Sequence, residues 1–161
     1  MKDTKVIAAF PACGKTYCFN KNEDYIILDS DSSKFSWIYS EDSVAKYRNP
    51  DFPKNYIDHI KENIGKADYI FVSTHEEVRE ALTEAGIDYI LVFPAETLKA
   101  EWVGRCFLRG SGENFCNMLA ENWDYWLSQM WDEAICHGRK HYVLKSGEYL
   151  SNAMRNMVDV L

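Results

Sequence analysis

The stretch Lys5-Val-Ile-Ala-Ala-Phe-Pro-Ala-Cys-Gly-Lys-Thr16 decides the fold. Its first half, residues 5–10, is a compact apolar run that stops at Pro11, which is typical of a short buried strand. Its second half passes through Gly14 into a helical pattern over residues 14–20. A buried strand followed closely by a helix is how a domain with a parallel sheet usually begins.

Strand and helix patterns then alternate along the rest of the chain. Further strands are predicted at 25–28, 68–73, 88–93 and, more weakly, 141–145. Helices are predicted at 54–66, 76–85, 113–135 and 151–160. Short apolar strands that alternate with helices indicate a mainly parallel five-stranded sheet covered on both faces. We therefore predict an α/β chain, a three-layer α/β/α fold in which residues 1–161 form a single domain.

An aromatic and aliphatic stripe runs through the predicted helix 113–135. Its members recur at roughly helical spacing, which favours a face packed on the core over a ligand-binding surface. They are Phe115, Met118, Leu119, Trp123, Trp126, Leu127 and Met130.

Composition narrows the class of protein. The net charge of −7, from 18 Lys and Arg against 25 Asp and Glu, disfavours long nucleic acid as a partner. Because no apolar stretch approaches the length of a membrane span, we expect a cytoplasmic protein without membrane contact. The five cysteines are odd in number and contain no Cys-x-x-Cys pair, so we expect reduced thiols, several of them in the core.

A phosphate-binding pattern follows the first strand. Residues 9–16 match G-x-x-x-x-G-K-[ST] at Gly14, Lys15 and Thr16, with Ala9 where the pattern has its first glycine. In such loops backbone N–H groups and the helix dipole surround phosphate oxygens, the lysine reaches the β- and γ-phosphates, and the hydroxyl binds Mg²⁺. The alternative is a plain strand-to-helix turn with an exposed lysine. We predict ATP binding by Pro11, Ala12, Cys13, Gly14, Lys15, Thr16 and Tyr17.

With this loop, the sequence resembles the nucleoside- and nucleotide-kinase branch of the P-loop proteins, which includes adenylate-kinase-like and shikimate-kinase-like enzymes and short kinases of the sort that phages encode. Residues 10–16, Phe-Pro-Ala-Cys-Gly-Lys-Thr, are similar to the family's G-x-P-G-x-G-K-[ST], with Ala9 and Ala12 in place of two glycines. The resemblance implies the P-loop NTPase fold, ATP and Mg²⁺ as cofactors, and a catalytic Lys15. It also implies an acceptor-binding insert at about 34–66 and a lid at about 97–115.

Two acidic residues, Asp29 and Asp31, follow the second predicted strand. Alternate residues of an extended segment point the same way, so both carboxylates can face one site. The pair resembles the Asp-x-Asp of P-loop kinases that phosphorylate hydroxyl groups, such as shikimate, gluconate and polynucleotide kinases. That resemblance implies that Asp29 and Thr16 hold magnesium and that Asp31 is a catalytic residue that binds the acceptor hydroxyl and takes its proton. The alternative is an Asx turn or a helix cap.

The third predicted strand runs into Val72-Ser-Thr74. Many P-loop enzymes keep a magnesium-binding aspartate at this position, so Asp29 becomes the more important carboxylate for the metal.

Basic residues complete the predicted site. Arg105 and Arg109 are four residues apart after the fourth strand, so one helical face can present both. They resemble the lid arginines of adenylate-kinase-like enzymes, which implies a catalytic role; the alternative is a solvated helix. Arg48 and Arg79 are predicted to bind the acceptor, and residues 145–147 form an adenine-side loop by position.

The sequence thus predicts an ATP- and magnesium-dependent phosphotransferase acting on a small molecule, a nucleoside or a nucleoside monophosphate. A kinase of a small non-nucleotide hydroxyl compound and a nucleotide-binding protein without kinase activity remain alternatives. The acceptor, its base and the oligomeric state stay open.

Overall fold

The structure is a computed structural model that describes residues 1–42 and 45–157. Five strands make up a mainly parallel sheet and, within the described residues, seven α-helices accompany it, which confirms the predicted α/β class and the five-stranded sheet. The strands are β1 Lys5–Ala9, β2 Ile27–Asp29, β3 Trp37–Tyr39, β4 Lys46–Arg48, β5 Tyr69–Val72, β6 Ile90–Pro94 and β7 His141–Leu144. The helices are α1 Lys15–Lys21, α2 Ser33–Ser36, α3 Lys54–Asn63, α4 Glu76–Glu84, α5 Lys99–Leu108, α6 Glu113–Cys136 and α7 Leu150–Asn156, with a 3₁₀ turn at Glu96–Leu98.

The chain divides into two compact units, one of Met1–Ala8 with Phe19–Tyr89 and one of Ala9–Cys18 with Ile90–Leu161. The prediction of a single domain over residues 1–161 stays a prediction beside this division.

In the first unit, β2, β5 and β1 pair in parallel, in that order. The register sets Ile27 opposite Tyr69 and Val6 opposite Ile70. Helices α3 and α4 contribute apolar residues at helical spacing, since Tyr56, Ile57, Ile60, Val78 and Leu82 are all buried.

An antiparallel hairpin of β3 and β4 lies within the predicted acceptor-binding insert, with Trp37 opposite Arg48. The sequence patterns predict neither this hairpin nor the one-turn helix α2. Each of these strands has three residues, too few for an alternating pattern to stand out from chance.

In the second unit, β6 and β7 pair in parallel with Leu91 opposite His141. The buried face of α6 consists of Cys116, Leu119, Trp123, Leu127, Met130 and Ala134. The predicted core stripe is therefore confirmed for Leu119, Trp123, Leu127 and Met130. It is wrong for Met118, which is exposed, while Phe115 and Trp126 are half-buried.

The predicted ends of elements shift by a few residues. The second strand begins at Ile27 rather than at residue 25, because Tyr25 and Ile26 are exposed and only Ile27 enters the core. The last helix covers 150–156, while residues 158–160 of its predicted span lie outside the described residues.

None of the helices in residues 1–42 and 45–157 combines the length and the apolar character that crossing a membrane requires.

Candidate functional site

The phosphate-binding pattern forms a tight loop in the second unit. Ala12 has a φ of 60° and Gly14 a φ of 92°, so the backbone turns through the left-handed region twice before α1 begins. Loops with such residues tend to direct successive N–H groups into one concavity, the arrangement in which proteins hold phosphates. Ala12 thus adopts a conformation that usually favours glycine, at about 1–2 kcal/mol for a residue with a Cβ. Ala12 stands where the P-loop kinase pattern has a glycine. The loop forms the turn nonetheless, with Ala12 in the left-handed region.

Residues far away in sequence hold the loop in place. The indole Nε1 of Trp102 donates a hydrogen bond to the Pro11 carbonyl at 3.0 Å, and the Leu150 N–H donates to the Cys13 carbonyl at 2.7 Å. Lys15 folds back across the loop, where its Nζ donates to the Ala9 carbonyl at 2.8 Å. The ammonium group is therefore kept at the loop rather than extended into solvent.

A cavity of about 430 Å³ opens beside this loop. It is lined by Ala12, Cys13, Gly14, Lys15, Thr16, Tyr17, Arg105, Leu108, Arg109 and Tyr149. Six of the seven residues predicted to bind ATP thus share one cavity with both arginines predicted to be catalytic. Pro11 is absent from the lining and contributes its carbonyl to Trp102 instead.

Arg105 is fixed on several sides. The Cζ atom lies 3.8 Å from the ring centroid of Trp102 and 4.0 Å from that of Tyr149. Its Nη2 donates to Glu101 Oε2 at 3.0 Å, and the side chain is only 10% exposed. Within residues 1–42 and 45–157, its buried Nη1 has no hydrogen-bond partner. A buried guanidinium donor without an acceptor is costly, so the position of this side chain needs an explanation.

Arg109 lies one helical turn further on and is exposed. Its Nε donates to Ser111 Oγ, and its Cζ lies 5.5 Å from the centroid of the Phe115 ring. The two arginines therefore differ in their surroundings, since Arg105 is buried against aromatic rings and Arg109 is exposed at the cavity edge.

The Cys13 thiol reports on the electrostatics of the loop. Burial raises the pKa of Cys13, while the charges of Lys15 and Arg109 and the N–H groups of Cys13 and Lys15 act to lower it. Burial prevails, so the thiol stays neutral near pH 7. The charges of Lys15 and Arg109 nevertheless act on this point of the loop, which suits a phosphate oxygen.

The predicted lid, 97–115, is made of the 3₁₀ turn, α5 and the start of α6. Trp102 and Cys106 of α5 are fully buried, so this part belongs to the core of the second unit. Closure of the segment as a lid stays a prediction.

The residues around the loop do not form a metal site by themselves. Among the described residues, no group of three His, Cys, Asp or Glu side chains could hold a metal ion. Protein sites for Mg²⁺ often supply one or two oxygens, with phosphate oxygens and waters completing the shell. The exposed Thr16 in the cavity lining can serve as such a donor.

The acidic pair lies in the first unit, at the end of β2. Asp29 is half-buried, and Asp31 is exposed with its Oδ1 accepting a hydrogen bond from the Ser33 N–H at 2.9 Å. This local bond is the Asx turn that the sequence left open as an alternative. It occupies one carboxylate oxygen and does not test the predicted catalytic role of Asp31.

Between the two aspartates, Ser30 is buried and anchored to α3. Its carbonyl accepts a hydrogen bond from Tyr56 Oη at 2.7 Å, and its Oγ lies 3.1 Å from His59 Nε2. Burial raises the pKa of Tyr56, and the negative charges of Asp31 and Asp29 raise it further. The backbone that carries the acidic pair is therefore firmly held, although the Asp31 side chain is not buried.

The two arginines predicted to bind the acceptor are engaged within the first unit. Arg48 pairs with Glu77 at 2.5 Å and lies over the rings of Trp37 and Phe52, at 5.6 and 4.9 Å from their centroids. Arg79 is buried, and its Nε donates to the Thr74 carbonyl at 2.9 Å. These contacts give both side chains a structural task, and their binding of an acceptor stays a prediction.

Sequence reasoning missed three residues of the second unit's site. Trp102 and Glu101 lie three and four positions before Arg105, a helical spacing that could have identified them as its neighbours. Tyr149 has no such signal, because 44 positions separate it in sequence from the arginine that it covers. The loop predicted at residues 145–147 does approach α5, since Ser146 Oγ donates to Glu101 Oε1 at 2.5 Å.

The sequence matches no protein-family model and no curated protein.

Proposed function

We propose that this chain is a cytoplasmic P-loop kinase, an ATP- and magnesium-dependent phosphotransferase that acts on a nucleoside or a nucleoside monophosphate. The observation that carries the proposal is the single cavity shared by the phosphate loop, Arg105 and Arg109. A cradle of N–H groups, an ammonium and two guanidiniums suits a chain of phosphates better than a neutral ligand. The P-loop NTPase fold, with its three layers, is part of this proposal.

The roles follow from the chemistry of phosphoryl transfer, in which positioning and charge stabilisation supply most of the catalysis. Lys15 and the amides of residues 12–17 bind the phosphate chain. Arg105 and Arg109 stabilise the negative charge that develops on the transferred group. When bound, magnesium neutralises phosphate oxygens, and Thr16 is the residue of this cavity that we assign to it. In the first unit, Asp29 keeps the magnesium-binding role that the resemblance implies. Asp31 takes the proton of the acceptor hydroxyl.

A second candidate is a nucleotide-binding protein without kinase activity. The observation in its favour is the end of β5, where Ser73 stands in place of a carboxylate, with a buried hydroxyl that has no hydrogen-bond partner among the described residues. A kinase of a small non-nucleotide hydroxyl compound is supported by the Asp29 and Asp31 pair.

Isothermal titration with ATP and Mg²⁺ tests the central claim. We expect the wild type to bind and Lys15→Ala to lose at least about tenfold in affinity, because it removes a charge-assisted contact to phosphate. Lys99→Ala, which removes an exposed lysine of the same unit, is the matched control and should bind as the wild type does.

A transfer assay over nucleosides, nucleoside monophosphates and small polyols then separates the candidates. Phosphorylation of a nucleoside or nucleotide supports the leading proposal, whereas binding without any transfer supports the second candidate. A folded wild type that binds neither ATP nor GTP would rule out both.

A further inference from the structure

Arg105 combines two properties that proteins rarely leave together. Its side chain is nine-tenths buried, and its Nη1 has no hydrogen-bond partner in the described part of the chain. Its positive charge is paired with the carboxylate of Glu101. Because Arg105 also lines the cavity beside the phosphate loop, its guanidinium lies next to any anion held there.

Two aromatic rings determine where this guanidinium can point. The ring centroids of Trp102 and Tyr149 lie 3.8 and 4.0 Å from its Cζ, distances at which a planar guanidinium stacks on an aromatic ring. Rotation of the guanidinium away from the rings would break both contacts. The orientation of the guanidinium is therefore set by the rings rather than by solvent.

The two rings have different tasks. Trp102, a residue of α5, is fully buried in the core of the second unit, whereas Tyr149 is 43% exposed and lines the cavity. Tyr149 also packs on the phosphate loop, because a Cβ added to Gly14 would lie 3.2 Å from its Cδ1. A core role explains the position of Trp102. It does not explain a half-exposed tyrosine that packs on both the loop and the arginine.

We propose that Tyr149 is a positioning residue that holds Arg105 toward the phosphate chain of a ligand in this cavity. The inference rests on the proposed function, since it assigns a further residue to the same site. A guanidinium fixed before the ligand arrives spares the entropy of ordering a long side chain on binding. Tyr149 then acts through the phosphates and not through the base.

Two consequences distinguish this role from stacking on a nucleobase. Loss of the Tyr149 ring should weaken the binding of inorganic tripolyphosphate and of ATP by the same factor. A ring that stacked on the base would affect the binding of ATP alone, because tripolyphosphate has no base. The effect should also vanish once Arg105 has been neutralised, because Tyr149 then has no guanidinium to hold.

The test is titration of tripolyphosphate and of ATP, each with Mg²⁺, into the wild type, Tyr149→Leu, Tyr149→Phe, Arg105→Gln and the double variant Tyr149→Leu/Arg105→Gln. Leucine keeps bulk against Gly14 while removing the π face, so folding should be preserved. We expect Tyr149→Leu to weaken both ligands by about threefold to tenfold, Tyr149→Phe to bind as the wild type does, and the double variant to match Arg105→Gln. Tyr125→Leu, an exposed tyrosine of α6, serves as the matched control.

Weakening of ATP alone would overturn the inference, because it would mean that Tyr149 contacts the base. Losses of affinity that add up in the double variant would overturn it as well. So would a loss of affinity in Tyr149→Phe, which keeps the aromatic ring. If the wild type binds ATP in a Lys15-dependent manner and Tyr149→Leu changes the affinity for neither ligand, the inference fails while the proposed function stands. Absence of any binding to the wild type would overturn both.

Discussion

The phosphate loop of the second unit and the acidic loop of the first unit are fixed in different ways. The loop at residues 9–16 is held by Trp102 and Leu150, which lie far along the chain. Residues 12–17 line the cavity. The acidic loop has a backbone anchored by Tyr56, but its Asp31 carboxylate is exposed and bonded only two residues away, to the Ser33 N–H.

This difference teaches which kind of chemistry each region can perform before a ligand arrives. Distant anchors in a buried setting preorganise charge, which is what phosphate binding requires. An exposed carboxylate with a local bond can change rotamer at small cost, which suits a proton acceptor that must adapt to its substrate. We therefore expect binding and proton transfer to be separable by mutation.

The largest effect is expected from Asp31→Asn, which sharpens the comparison most directly. Asparagine keeps an Oδ1 acceptor for the Ser33 N–H, so the turn should survive while the base is lost. We expect transfer to the acceptor to fall by about 100-fold or more, with the affinity for ATP unchanged. Initial rates and titration of the same samples measure the two quantities.

Asp58→Asn is the matched control for that substitution. Asp58 is a half-buried acid of α3 that pairs with the exposed Lys54, so its loss should leave transfer intact and cost at most about 0.5 kcal/mol of stability. If Asp31→Asn transfers phosphate as fast as the wild type does, Asp31 is a turn residue only and its proposed role as the base is wrong.

An intermediate effect is expected from removing the indole N–H groups of two buried tryptophans in the second unit. Trp102 Nε1 donates to the Pro11 carbonyl and Trp123 Nε1 to the Glu96 carbonyl, each at 3.0 Å. Replacement by phenylalanine should cost about 1–3 kcal/mol of stability in either case, since a carbonyl loses its donor. Of the two substitutions, only Trp102→Phe should also weaken ATP binding, because Trp102 and not Trp123 donates to the phosphate loop.

Guanidinium unfolding gives the free energy of each variant, and titration gives its affinity for ATP. If Trp102→Phe and Trp123→Phe weakened ATP binding equally, the contrast between the two regions would be wrong. It would mean that the loop depends on the general stability of the unit and not on a particular anchor.

The fold was largely predictable from sequence because its strands are short apolar runs. Residues such as Ile7, Ile70 and Val92 are almost completely buried, and burial on that scale leaves a clear pattern. The hairpin of β3 and β4 left no such pattern. Tyr39 and Tyr47 are exposed in it, so apolar residues there do not mark a core.

The candidate site was predictable where its residues are neighbours in sequence. The loop at 9–16 and the pair of arginines in α5 are both local patterns, and the structure brings them to one cavity. The contact of Arg105 with Tyr149 was not predictable, because it arises from tertiary packing of α5 against the residue that precedes α7. The nine-tenths burial of Arg105 was also hidden, since a helical arginine usually extends to solvent.

The smallest effect is expected from alkaline pH, which probes one buried acidic group in each region. Burial raises the pKa of Cys13 in the second unit from an ordinary value of 9.0, and burial raises the pKa of Tyr56 in the first unit from an ordinary value of 10.0. Both groups are neutral in the folded chain and ionise more easily once unfolded. Each therefore contributes stability that is complete below its unfolded pKa and is lost as the pH rises toward its folded pKa.

The pH at which this loss begins should separate the two regions. The free energy of unfolding, measured with guanidinium at pH values of about 7, 9.5 and 11, should decline from about pH 9 in the wild type. Cys13→Ala should reduce the decline that begins near pH 9, although the thiol of Cys106, whose pKa burial also raises, will preserve part of it. Tyr56→Phe should alter the slope only above about pH 10. A wild-type stability that stays constant to pH 11 would show that neither group is held neutral by its surroundings, and the account of Cys13 as a buried neutral thiol in the phosphate loop would be wrong.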